Sequence, residues 1–368
     1  MGILDSIKNR FFVNRQDSII FEVTQPCNND CLFCYNVWKC RDDYPKGELP
    51  TEDTKKLIVK AIRDAKCRQF TFTGGEPLLR KDLPELVSFA KGLGVNVTII
   101  SNGTLFTEQS AKDYIKRGVG IFELPLLSAD RKIHNELSRN PKAFDLVTES
   151  VANIKLHGGI VVAVFVGTKK NIDGFGEMIE LAVALGADGI MFNRVNIGGE
   201  GTRHIAELLP APQQVERALE TAEAAMEKYK IGISCAIPIQ PCVLDTGRFK
   251  KLHFGYCAAG SNRAYYTVDP LGNVRMCNHT PSILGNILEN SFTALSRRDK
   301  VKYFTKPRPA FCRNCEMETV CQGGCKAAAE ACTGSLCAEE PFLSAFKKAP
   351  VSKNSGKYRA DGSAIYAD

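Results

Sequence analysis

No run of about 18 uncharged apolar residues occurs in the 368-residue chain, so no segment reads as a membrane-spanning helix. The first ten residues carry Asp5, Lys8 and Arg10 where a secretory signal would need an apolar core, which predicts a cytoplasmic protein. Charge of one sign is scarce as well: 48 Lys and Arg against 41 Asp and Glu leave +7, spread over short clusters such as Lys169-Lys170 and Lys250-Lys251. Such pairs are ordinarily solvated surface. No nucleic-acid-binding motif accompanies them, and a diffuse positive charge suits the docking of an acidic electron donor at most.

Cysteine is missing from the long interval between Cys67 and Cys235, although the chain has 15 of them. Three fall between Cys27 and Cys34, and six between Cys312 and Cys337. Core filler would scatter more evenly. In a reducing compartment structural disulfides are rare, so two tight groups point to metal or cluster ligation.

Strand-like runs rich in Val, Ile and Phe occur at 19–24, 69–73, 96–100, 120–127, 160–166 and 190–195. Several are apolar on consecutive positions, as parallel strands covered on both faces must be. Helix-like stretches lie between them at 52–65, 83–93, 108–117, 143–156 and 175–185. Thr51 precedes Glu52 and Asp53, which suit the positive end of a helix. Asp82 with Glu85 reads as a capping box with Pro84 in the first turn. Gly94, Gly118, Gly158 and Gly186 follow the helix ends, as C-terminal caps do. The alternation means a parallel α/β fold, either an open curved sheet or a doubly wound one. The expected organisation is an extension over residues 1–17, the α/β unit over 18–205, a linker helix within 206–230, a cysteine-rich unit over 231–343 and a loose tail over 344–368. Ile197-Gly198-Gly199-Glu200-Gly201 reads as a flexible exit from the α/β unit. Asp269-Pro270-Leu271-Gly272-Asn273 reads as a hairpin turn.

Cys27-Asn28-Asn29-Asp30-Cys31-Leu32-Phe33-Cys34 directly follows the first strand. Three thiolates on one loop hold three irons of a [4Fe–4S] cube and leave the fourth iron open. Structural zinc would want four ligands, and Cys40 is oddly placed to be the fourth. The C-x3-C-x2-C spacing with an aromatic before the last Cys resembles the radical S-adenosylmethionine (SAM) superfamily. Thr73-Gly74-Gly75-Glu76-Pro77 after the second strand, Ser101-Asn102-Gly103 after the third and Ser128-Ala129-Asp130 after the fourth match that family's order. Two adjacent glycines let the backbone approach a ligand closely.

The resemblance implies a partial (β/α)6 TIM-like barrel with the site at the C-terminal strand ends, in agreement with the strands above. It implies that Cys27, Cys31 and Cys34 hold the cluster. S-adenosylmethionine would meet Gly74, Gly75, Glu76, Pro77, Ser101, Asn102, Ser128 and Arg139, with Phe33 and Tyr35 flanking its adenine. The segment from Ser128 to Arg139 departs from the family at Arg131, where Gly is usual, and at Asn135, where Asp is common. His134 is therefore read either as part of the site or as a helix cap. The implied reaction is reductive cleavage to a 5′-deoxyadenosyl radical that abstracts a substrate hydrogen.

Cys312-x2-Cys315-x5-Cys321-x3-Cys325, preceded by Cys257 and by Gly272-x4-Cys277, resembles the SPASM extension of the same family, a smaller cysteine-rich domain holding one or two auxiliary [4Fe–4S] clusters. By that resemblance Cys257, Cys277 and Cys325 serve one cluster and Cys312, Cys315 and Cys321 the other. The family closes the latter with a later cysteine. Here Glu340-Pro341-Phe342-Leu343 occupies that region and Leu343 cannot ligate iron, so Cys332 and Cys337 are the available substitutes. Cys242 or Cys235 completes the former, or a substrate occupies an open iron there. Sulfatase-maturating members carry an Asp base after the position of Cys277. Asn278 stands there and cannot take a proton, which disfavours that activity, while the following His279 is a candidate base or a structural neighbour of the cluster.

SPASM enzymes mostly modify peptides or proteins, so the expected substrate is a peptide or protein side chain. The alternatives are a small molecule in a haem- or quinone-cofactor pathway and, in a different class, a multi-cluster electron carrier. The expected electron donor is a flavodoxin or ferredoxin, and because about 17 residues before the first strand are too few for a fused recognition domain, a leader peptide would need a separate leader-peptide-binding protein or direct docking.

Overall fold

The computed structural model describes residues 16–39 and 41–348. Most of the N-terminal extension, Cys40 and the tail from residue 349 lie outside the described residues. Strands β1 (Ser18–Thr24), β2 (Gln69–Gly74), β3 (Asn96–Ile100), β4 (Val119–Pro125), β5 (Val161–Gly167) and β6 (Gly189–Arg194) pair in chain order, each parallel to the next. They are the six strands the sequence predicts, with ends displaced by one or two residues.

The two faces of the sheet differ. Phe70, Phe72, Val97, Ile99, Phe122, Leu124, Phe165 and Phe192 are buried in one large core with the helices Thr51–Ala65, Leu83–Gly92, Glu108–Lys116, Ala143–Leu156 and Phe175–Ala184. Each fully buried phenylalanine contributes about 1.5–3 kcal/mol relative to exposure. Alternate residues, among them Ile121, Glu123, Val162, Val164, Met191 and Asn193, point away from these helices and are half-buried. The consecutive apolar runs therefore serve one packed face and one open one.

Gly94, Gly118, Gly158 and Gly186 all have positive φ, as their reading as caps requires. The capping box at Asp82 does not form. Its carboxylate is taken by Arg80 at 2.7 Å, and Glu85 pairs with Lys55. A short helix absent from the sequence reading, Arg131–Ser138, is capped by Asp130, whose side chain accepts from the Lys132 and Ile133 amides.

Beyond β6 the chain departs from the expected plan. Residues Gly199, Glu200 and Gly201 are buried in a 3-10 turn and not loose. Gly199 has φ +48, and a Cβ there would press on the Cys34 and Asn36 carbonyls. The helix Pro212–Tyr229 packs on the helix Phe175–Ala184 and leads into β7 (Gly232–Cys235), which lies parallel to β6. It is thus a further β-α-β unit, not a linker. Strand β8 (His253–Phe254) follows β7, while β9 (Thr267–Val268), β10 (Asn273–Arg275) and β11 (Ile283–Asn286) build outward from β1. The result is one open sheet of order β11-β10-β9-β1-β2-β3-β4-β5-β6-β7-β8, and the barrel does not close. The expected hairpin joins β9 to β10, its turn built on Asp269, which accepts from the Leu271 and Asn273 amides.

Candidate functional site

The cysteine loop leaves the C-terminal end of β1 and is pinned by the two apolar residues between its last two thiols, Leu32 and Phe33. Leu32 packs with Leu127, Val195 and Ile197 from beyond the ends of β4 and β6 and with Leu137 of the helix Arg131–Ser138, and its amide donates to the Leu137 carbonyl at 2.9 Å. Phe33 is half-buried and packs against the same apolar group.

Burial pushes the Cys27, Cys31 and Cys34 thiols up, and the Lys39 ammonium works against that shift at all three. The Asn29 amide and the Asn102 side chain donate toward Cys27 Sγ at 3.5 and 3.8 Å. Sheltered thiols with N–H donors and a nearby cation are a donor set that soft iron would convert to thiolates. Among the described residues no three Cys, His, Asp or Glu side chains converge as closely as a single ion requires. The three thiols nevertheless feel one another's charge from one sheltered loop, which is the ligand set an iron–sulfur cluster takes.

Gly74 and Gly75 run against the start of this loop. Gly74 has φ +138, and a Cβ on either residue would collide with the carbonyls of Thr24, Gln25 or Pro26. The Gly75 amide donates to Thr24 O at 2.9 Å and the Glu76 amide to Pro26 O at 2.8 Å. Asn36 donates to Gly74 O at 3.0 Å, so both ends of the cysteine loop are tied to β2.

Glu76 is fully buried, and both its oxygens are engaged. It accepts from Ser101 Oγ and the Asn102 amide at 2.8 Å each, and from the Leu78 amide at 3.1 Å. Burial still pushes its carboxyl up to about 7. Glu76 and Ser101 thus join β2 to β3 and spend their polar groups on each other, while Pro77 is buried in the turn that follows. The Asn102 side chain stays beside Cys27 and Asn28. Ser128 Oγ accepts from the Asp130 amide. Arg139 reaches Asp30 at 3.2 Å and Glu200 at 3.1 Å, bracing the cysteine loop against the turn after β6. His134 is buried, accepts from the Leu127 amide at 3.3 Å, and is pushed down to about 4 by burial; it is an architectural residue.

The later cysteines form two groups. Cys277 and Cys325 each feel the charge of Cys257, and Cys325 also that of Cys277. Burial pushes Cys277 up to about 11 even though the His279 and Thr280 amides donate to it. Cys312, Cys315 and Cys321 border a separate cavity, and Cys242 borders it with them. Cys332 packs against the apolar group around Leu32, and Cys337 is exposed. Neither lines that cavity, so the substitution expected of them is not what the geometry offers. Cys235 is buried in β7 opposite Phe254 of β8, and it does not border that cavity.

Two buried ion pairs, neither singled out in the sequence, hold these groups in place. Arg275 on β10 pairs with Glu22 on β1 and donates to the Asn278 and Thr280 carbonyls, fixing the turn after Cys277. Arg194 at the end of β6 pairs with Glu340 at 2.6 Å, and Glu340 also accepts from the Cys325 amide at 2.9 Å and from Gln240. Lys326 is buried near Cys257 and Cys312, and burial pushes it down to about 8.

The first cysteine loop and the Cys257, Cys277 and Cys325 group are in contact. Tyr35 stacks on His279 and accepts from Asn278 Nδ2 at 2.8 Å. Asn196 places its Nδ2 3.0 Å from His279 Nδ1 and 3.2 Å from Cys325 Sγ. Tyr35 and His279 are each half-buried in this contact, and burial lowers His279 to about 3.

The family model of the radical SAM superfamily matches residues 21–182, and that of SPASM, an iron-sulfur cluster-binding domain, matches residues 257–316. The chain is 30% identical over 345 residues to a PqqA peptide cyclase of Streptomyces rochei, covering 88% of each chain. Its fold is similar to that of Streptococcus suis SuiB bound to S-adenosylmethionine, with a TM-score of 0.71 at 15% identity over 96% of this chain and 79% of SuiB. It is also similar to anSMEcpe with bound AdoMet, with a TM-score of 0.66 at 17% identity over 89% of this chain and 93% of the other.

Proposed function

Because this chain belongs to the radical SAM superfamily and carries a SPASM iron–sulfur domain, we propose that it is a maturase that modifies a side chain of a ribosomally made peptide or a protein. The observation that carries the peptide reading is the likeness to a PqqA peptide cyclase along nearly the whole chain. SuiB bound to its precursor peptide SuiA and anSMEcpe with a bound peptide, both similar in fold, support it.

When bound, a [4Fe–4S] cluster with one open iron supplies the electron that splits S-adenosylmethionine, and the 5′-deoxyadenosyl radical so released takes a hydrogen atom from the substrate. Cys27, Cys31 and Cys34 hold that cluster, and Leu32 with Phe33 closes the loop against water. The Gly74-Gly75 backbone and the Asn102 side chain, next to Cys27, would meet the methionine end of the cofactor, with Glu76 tying β2 to β3 beside them. Ser128 lies at the end of β4, where the ribose would be met, and Arg139 braces the loop from outside. Glu123 is the carboxyl that β4 presents to the open face, where the substrate would lie. His279 acts by position, stacked on Tyr35 and beside Asn196.

A low-potential flavodoxin or ferredoxin supplies the electron, and a separate protein binds the leader of the peptide. The test is anaerobic reconstitution with dithionite and short peptides encoded beside the gene. Formation of 5′-deoxyadenosine together with a hydrogen-loss mass change in one peptide is expected. Cofactor cleavage that no peptide accelerates or consumes would overturn the peptide reading.

A further inference from the structure

Four thiols from two distant stretches of chain open onto one cavity. Cys312, Cys315 and Cys321 come from the C-terminal run, and Cys242 comes from a turn some seventy residues earlier. The cavity has a volume of about 300 Å³ including its mouth. Cys242 feels the charges of Cys312 and Cys315, and Cys321 feels those of Cys242 and Cys312. The Gly323 and Gly324 amides donate to the Cys321 sulfur, the kind of hydrogen bond that stabilises a cluster thiolate. Leu343 lines the same cavity and offers it only hydrocarbon.

The turn that delivers Cys242 is built and anchored. The Val243 and Leu244 amides both donate to the Gln240 carbonyl, which sets the turn. The Gln240 side chain donates to Glu340, the buried carboxylate already held by Arg194 and the Cys325 amide. The Lys348 amide donates to the Cys242 carbonyl at 3.2 Å. Cys242 is therefore fixed relative to both cysteine groups.

We infer that Cys242 is the fourth ligand of the auxiliary cluster held by Cys312, Cys315 and Cys321, so that this site is closed by four thiolates while Cys257, Cys277 and Cys325 form a three-thiolate site. A cubane needs four thiolates around it and is indifferent to their order along the chain. Cys242 fills from upstream the corner that Leu343 leaves empty. The inference rests on the reading of this region as cluster-binding.

The test is an alkylation footprint of the intact, anaerobically reconstituted chain, mapped by peptide mass and compared with the chain after iron chelation. Cys242 is expected to be protected together with Cys312, Cys315 and Cys321 while iron is bound and to react after chelation, with Cys337 reacting in both states. A second measurement, iron content and the electron paramagnetic resonance spectrum of the reduced protein, compares Cys242→Ser with Cys337→Ser. Cys242→Ser is expected to lose up to about four irons or to show an altered cluster signal, and Cys337→Ser to match wild type. Alkylation of Cys242 in the iron-loaded chain while the other three stay protected would overturn the assignment and leave the cluster reading standing. Reaction at all four would overturn both.

Discussion

The rings of Tyr35 and His279 stack with centroids 3.9 Å apart and an interplanar angle of 29°. Tyr35 follows Cys34, and His279 lies two residues beyond Cys277, so one ring contact joins the turns of two cysteine groups that are about 240 residues apart in sequence. Such a contact is worth about 0.5–1.5 kcal/mol beyond the area it buries. His279→Ala should therefore destabilise by about 1–3 kcal/mol, because it also strips Asn196 of a partner. His279→Phe should restore the stack but not the Asn196 contact. Urea midpoints for both variants test this, and equal losses would show that the stack contributes nothing.

Glu340→Ala should be the more damaging change, at about 3–5 kcal/mol, because it leaves Arg194 buried without its counter-charge. It also releases Gln240 and the Cys325 amide. The expected outcome is a lower unfolding midpoint together with faster alkylation of Cys242 in the iron-free chain. Glu340→Gln should fall between Ala and wild type.

Glu123 gives a pH signature. Burial raises its carboxyl from near 4.5 to about 7. The folded state then holds a proton that the unfolded state has released, so the contribution of Glu123 to stability falls as pH rises from about 4.5 to about 7 and is level beyond that. Glu123→Gln should flatten that part of the curve of unfolding midpoint against pH. An unchanged slope would place the titration elsewhere, with Glu76 the next candidate.

Replacing Cys27, Cys31 and Cys34 together by alanine should remove about four irons and all 5′-deoxyadenosine formation while keeping the auxiliary iron. Iron and sulfide analysis of the purified variant checks it. Loss of all iron would mean that the sites do not load independently.

The six parallel strands were legible because most are runs rich in Val, Ile and Phe with glycine close to one end, and the first cysteine group because its ligands are local. What sequence could not show was pairing at a distance. Asp82 and Glu85 had the spacing of a capping box, but Lys55, thirty residues earlier in the chain, holds Glu85. Strands β8 to β10 are two or three residues long and exist only because β7 and β1 offer edges to pair with. Cys242 is legible in the sequence as a ligand, but for the Cys257, Cys277 and Cys325 group, and the segment 340–343 shows only that Leu343 cannot ligate, with nothing to single out Glu340. Their roles depend on a turn folding back across the sheet, for which no local pattern stands.

The sheet that runs without a break from β11 to β8 limits how this protein can be divided. A chain cut after β6 would leave β1 and β6 with bare hydrogen-bonding edges, which invite pairing with other molecules. Such a fragment should precipitate instead of behaving as a minimal enzyme. Any graft of this cysteine-rich segment onto another barrel must bring matching strands for both margins, so the unit of inheritance here is the whole sheet.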